Sequence, residues 1–194
     1  MAIATYQTEV VDEIDGTRTE YEYVDRNEQL LLALMRELFE THWPKLVFGP
    51  CIQGAVYEIR LTKPPKKLSM VDGYLTIDVG VWHFHLCLGE HKGTKANPTP
   101  KALADIRRVS KAAFFRTMGA SCTGGTWGFR MWNGAAEQMI TVFFPNPYLD
   151  DRFKPQKPDW NRLALWNALR VKYLSGAAAW SPSGADYPES APTN

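Results

Sequence analysis

Hydrophobic and polar positions change period several times along the chain, and each change predicts an element. Over residues 4–24, TYQTEVV, the turn signal Asp15-Gly16 and TRTEYEYV alternate, with Thr19, Tyr21 and Tyr23 set against Glu20 and Glu22. This pattern predicts an N-terminal hairpin. From 26 to 42 the period lengthens, and Leu30, Leu31, Leu34, Leu38 and Phe39 form one helical stripe. Asp25 and Glu28 stand at capping-box spacing before it, and Pro44 ends it. Period two returns in VYEIRLT (56–62), YLTIDVG (74–80) and VWHFHLCL (81–88). Gly80 either bends the chain between the last two segments or lies within one long strand.

Thr99-Pro100 predicts the start of a second helix running to about Met118, in which Leu103, Ile106, Val109, Ala113 and Phe114 recur at helical spacing. Lys101, Arg107, Arg108, Lys111 and Arg116 read as its solvated basic face. TWGFRMW and QMITVFF flank Asn133-Gly134 and predict a second hairpin, with a somewhat long loop. Residues 145–158 carry prolines and no period, which makes them a long loop and a candidate lid. Asp159 caps a predicted third helix over 160–174, and Gly176 stops it. The expected fold is a single α+β domain over 1–176, an antiparallel sheet with about three helices packed on one face, followed by a flexible tail over 177–194. A doubly wound nucleotide-binding fold is disfavoured, because no strand runs into a glycine-rich phosphate turn.

Charge narrows the partners. Twenty-two Lys and Arg against 21 Asp and Glu leave a net charge of +1, without the basic excess of a protein that grips nucleic-acid phosphates. No run approaches the roughly 20 apolar residues of a membrane helix, and the first residues lack a signal-peptide layout. Three cysteines, Cys51, Cys87 and Cys122, make an odd count that fits a reducing compartment. The expectation is a cytoplasmic protein with a small-molecule partner, no nucleic acid and no membrane; the oligomeric state is left open.

Candidate chemistry sits on the strand VWHFHLCL. Residues two apart share a face, so Trp82, Phe84, Leu86 and Leu88 lie on one side and His83, His85 and Cys87 on the other. His91 and Glu90 follow closely, bringing three of the four histidines into one short stretch. His-x-His on a strand lets two imidazoles reach one ion, and Gly89 lets the chain bend so that His91 or Glu90 completes the set. Such a set suits Fe(II) or Zn(II). By the same parity, Glu58 and Arg60, and Thr76 and Asp78, pool with the histidines if their strands are neighbours. The predicted function is a mononuclear metal enzyme acting on a small molecule. His83, His85 and His91 are its metal ligands. Glu90 or Asp78 is its base, and Arg60, Arg130 and Trp132 bind substrate. Cys87 is a soft ligand or a histidine-activated nucleophile, the latter defining a metal-free thiol alternative. A further alternative is a non-enzymatic or accessory protein that uses the same face for a ligand or a cofactor such as haem, with the abundant tryptophans as flat walls.

Overall fold

A computed structural model describes residues 6–14, 16–52, 54–118, 124–183 and 187. The N-terminal hairpin forms where its alternation predicts: β1 (Thr8–Asp12) pairs antiparallel with β2 (Arg18–Tyr23), and Gly16 takes φ +81° in the turn. Asp15 of the turn signal lies outside the described residues, as does Cys122. Helix α1 (Glu28–Arg36) is capped by Asn27, whose Oδ1 accepts from the Gln29 and Leu30 N–H groups, while Asp25 accepts from Asn27 N–H. Past Arg36 the helix widens into a π turn, Glu37–Thr41. The stripe predicted for this helix is its core face, with Leu31, Leu34, Leu38 and Phe39 at most 1% exposed.

Three short strands follow, β3 (Val47–Gly49), β4 (Cys51–Ile52) and β5 (Ala55–Val56), the last two forming a small hairpin. The strand expected over 56–62 is therefore mostly absent, and only an isolated bridge from Ile59 to Phe48 continues it. Next come β6 (Lys67–Val71), β7 (Tyr74–Asp78) and β8 (His83–Cys87), an antiparallel sheet in that order. Gly80, at φ +99°, turns the chain between β7 and β8, which settles the choice at that position as a bend.

The helix expected over 99–118 is instead a helix of about two turns and a long strand: α2 (Lys101–Arg107) and β9 (Val109–Met118), with Arg108 already extended. Leu103 and Ile106 are exposed, whereas Ala112, Ala113, Phe114 and Phe115 are consecutive and buried. A strand covered on both faces has no alternation, so its apolar run was indistinguishable from a helix by spacing. The second hairpin stands as predicted in β10 (Trp127–Asn133) and β11 (Gln138–Phe143), and the third helix as a 3-10 turn (Trp160–Leu163) leading into α3 (Ala164–Tyr173). Asp159 caps it by accepting from Asn161 N–H.

The large antiparallel sheet has the order β1-β2-β9-β10-β11-β3, so the architecture is α+β and mostly β, with three α-helices among the described residues. None of the described helices is long and apolar enough to cross a membrane. By its internal contacts the chain divides into two compact units, Met1–Val24 with Ala113–Phe129 and Val142–Asn194, and Asp25–Ala112 with Arg130–Thr141. In the first, Trp127, Trp160, Trp180 and Tyr187 pack ring against ring, with centroids 5.3 to 6.1 Å apart. Arg116 lies over Trp180, and Asn167 both donates to and accepts from the Trp180 backbone. Those contacts hold a segment expected as flexible tail. The loop expected as a lid is also tied within this unit: Asp150 accepts from Arg152 and Lys154 N–H, and Gln156 donates to Pro147 O and Tyr148 O. In the second unit, Phe39, Phe48 and Phe84 form an aromatic core with centroids 4.9 to 5.8 Å apart.

Candidate functional site

The three-stranded sheet of the second unit separates its faces as strand parity requires. Leu68, Leu75, Ile77 and Leu86 are buried on one face, where Phe84 stacks on Phe48. On the other, the register sets Lys67 beside Asp78 beside His83, and Ser69 beside Thr76 beside His85. Val71, Tyr74 and Cys87 complete it. Thr76 and Asp78 thus join the histidines as the spacing predicted. Arg60 and Glu58 do not, because their segment is absent from this sheet.

His83 and His85 are exposed, with ring centroids 4.9 Å apart and planes at 74°. A metal about 2.1 Å from an imidazole nitrogen lies about 3.2 Å from the ring centre, so two such ligands at a tetrahedral angle stand about 5 Å apart, centre to centre. The observed pair fits that separation. Thr76 Oγ1 lies 2.8 Å from His85 Nδ1, which orients the ring and leaves Nε2 outward. Asp78 Oδ1 accepts from Gly80 N–H at 2.7 Å, so this carboxylate also shapes the β7–β8 turn. Among the described residues, no three His, Cys, Asp or Glu side chains are grouped to hold one metal ion. A tetrahedral ion on this pair alone would have two of its four positions left for water or substrate.

His91 goes elsewhere. Its Nε2 lies 3.3 Å from Asp72 Oδ2, and its Nδ1 lies 3.0 Å from both Arg107 Nη1 and Thr99 Oγ1. A guanidinium only donates, so Nδ1 is the acceptor and the ring hydrogen sits on Nε2, facing Asp72. Both nitrogens are engaged within the protein, and His91 is not brought into a ligand set with His83 and His85. The Thr99 hydroxyl, expected to cap the second helix, lies against this ring instead; the cap position is Pro100, with no side-chain cap. Asp72 also accepts from the N–H groups of Lys92 and Gly93, both at 2.8 Å, and these bonds, Lys92 first, hold its carboxyl below the usual range. Tyr74 lies between the two histidine groups, its ring edge-on to His91 at 5.2 Å and to His85 at 6.5 Å.

Cys87 is 3% exposed, its thiol donating to Gly89 O at 3.4 Å. Burial pushes this thiol up, the opposite of what a nucleophile needs. Burial raises Cys51 as well. Glu90 is exposed, and its backbone passes so close to Gly73 that a Cβ there would meet Glu90 O at 2.6 Å. Arg130 donates from Nε to Thr141 Oγ1 at 3.0 Å and lies over the Trp132 ring at 5.9 Å, both on β10 of the large sheet. They are not strand neighbours of the histidines.

The residues that sequence reasoning missed are Asp72, Tyr74, Thr99 and Arg107. Asp72-Gly73, between KLSMV and YLTID, is a two-residue hairpin signal, and the turn has positive φ at both residues, 47° and 80°. Reading that signal would have found β6 and placed Asp72 at the end of the histidine sheet. No curated protein matches the chain. The chain belongs to the family of unknown function DUF7676, whose model matches residues 8–175.

Proposed function

We propose that the chain is a transition-metal-dependent enzyme for a small molecule, with Fe(II) or Zn(II) held by His83 and His85 on the polar face of the β6-β7-β8 sheet. The observation that carries this reading is the exposed imidazole pair at 4.9 Å, with one ring oriented by Thr76. An ion there supplies Lewis-acid polarisation of a bound substrate or water. Asp78, beside His83 in register, would serve as the proton acceptor through the oxygen not engaged with Gly80. Two protein donors make a weak site, so titration is a better test than the metal content of purified protein. The expected result is saturable Zn(II) or Fe(II) binding by calorimetry, lost in the His83→Ala/His85→Ala double variant while circular dichroism is unchanged. Equal binding by the folded double variant would end the reading. A cofactor-holding role for the same face is supported by the edge-on ring of Tyr74 beside His85. A Soret shift with haemin that depends on the histidine pair, in protein that takes up no metal, would favour that role instead.

A further inference from the structure

Arg107 is half-buried at the end of α2 and differs from the other partly buried arginines of the described structure. Arg116, Arg162 and Arg170 each meet a carboxylate, Glu20, Asp151 and Glu22 respectively. Arg130 binds a threonine hydroxyl. Arg107 lies within ion-pair distance of no carboxylate among the described residues; its one hydrogen bond is from Nη1 to His91 Nδ1. Its neighbours Arg108 and Lys101 are already satisfied by Asp105. Two uncharged hydroxyl-bearing side chains stand at the His91 ring that Arg107 meets: Thr99, whose Oγ1 is 3.0 Å from the same nitrogen, and Tyr74, whose ring lies 5.2 Å from the imidazole. A planar fork of N–H donors with no carboxylate, beside two hydroxyls, is complementary to a carboxylate or phosphate group.

We propose that Arg107, with Thr99 and Tyr74, is the anchor for a carboxylate or phosphate group of the small molecule on which the protein acts. The proposal rests on the metal reading for the reaction and adds the substrate class. Tyr74 spans the space between the two groups, since its ring is 5.2 Å from His91 and 6.5 Å from His85. The substrate is therefore an elongated anion, held at its charged end near His91 and presenting its other end to the histidine pair. Arg107 is a binding residue for that end.

Anion binding is measured without metal, so that it succeeds or fails apart from the metal reading. Inorganic phosphate and succinate are the two probes, titrated separately into wild-type protein, Arg107→Gln, Arg107→Lys and His83→Ala/His85→Ala, with binding read by calorimetry and by the His91 imidazole shifts in NMR spectra. The expected result is saturable binding of one probe, whose identity separates phosphate from carboxylate. Binding should weaken about tenfold or more in Arg107→Gln and less in Arg107→Lys, which keeps the charge and loses the fork. The double histidine variant should bind the anion like wild type. Absence of saturable binding for both probes overturns the proposal. So does equal binding in Arg107→Gln, or loss of binding in the histidine variant with retention in both Arg107 variants.

Discussion

Glu22 and Arg170 are 7% and 3% exposed and form a two-pronged ion pair, with the guanidinium also donating to Asn167 Oδ1 and Ala178 O. Removing one partner of such a pair leaves a charge stranded away from water. Glu22→Gln is expected to lower unfolding stability in urea by about 3 kcal/mol. The double variant Glu22→Leu/Arg170→Met should lose less, which separates the cost of stranding from the worth of the pair. Nothing in the alternating hairpin pattern marked Glu22 as different from Glu20, because parity gives the face of a residue and not what lies over it. The same gap hid Arg107: on a helical wheel it belongs to a basic solvated face, and only the fold sets it against His91. His83, His85, Thr76 and Asp78 were legible for the opposite reason, since their association depends only on strand parity and on adjacent strands.

At the scale of elements, the loop from Gly89 to Thr99 is tied to the β6–β7 turn by Asp72, which accepts from Lys92 and Gly93 N–H and faces His91. A carboxyl whose folded pKa is lowered stabilises fully above its unfolded value, about 3.9 for Asp, and loses that contribution as pH falls through the lowered value. The protection factors of the Lys92 and Gly93 amides, taken against the intrinsic exchange rate at each pH, should therefore hold at pH 5 and above and fall in stronger acid. Asp72→Asn keeps a residue tolerant of the turn's positive φ but has one acceptor oxygen in place of two. It is expected to lose protection at one of the two amides at neutral pH. The elements with a distinct period or a cap were readable from sequence: the N-terminal hairpin, α1, the β10–β11 hairpin and α3. The failures have separate physical causes. β9 is covered on both faces and so carries no alternation, β6 begins on lysines at a sheet edge, and β3 is too short for any period.

Across the whole molecule, the first compact unit is held by aromatic packing as much as by its sheet. Trp127 Nε1 is the only buried side-chain nitrogen or oxygen among the described residues without a hydrogen-bond partner. It lies in a ring cluster, with Trp160, Trp180 and Tyr187 at centroid distances of 5.9, 6.0 and 5.3 Å. Trp180 joins Trp127, Trp160, Trp166 and Tyr187 there. Trp180→Ala should cost about 2 to 3 kcal/mol, somewhat below the range for a fully buried tryptophan, with a reduced near-ultraviolet circular dichroism signal. An unchanged spectrum and midpoint would mean that the C-terminal segment contributes nothing to the cluster. The abundance of tryptophan in the sequence suggested flat walls for a ligand; in the fold these rings spend their area on one another.

The strand order also sets a timetable for synthesis. Arg18 pairs with Met118 and Tyr23 with Ala113, so β2 leaves the ribosome long before β9 exists. At about 5–20 residues per second, the delay is several seconds. During that interval β1 can cover one side of β2, and the other side is a naked edge of the kind that recruits stray strands. Glu20 and Glu22 occupy that strand, and the arginines that meet them, Arg116 and Arg170, are made later. The two glutamates thus have consecutive duties, first as unpaired charges that keep the nascent hairpin from its neighbours on the polysome, then as the sockets into which the finished chain locks.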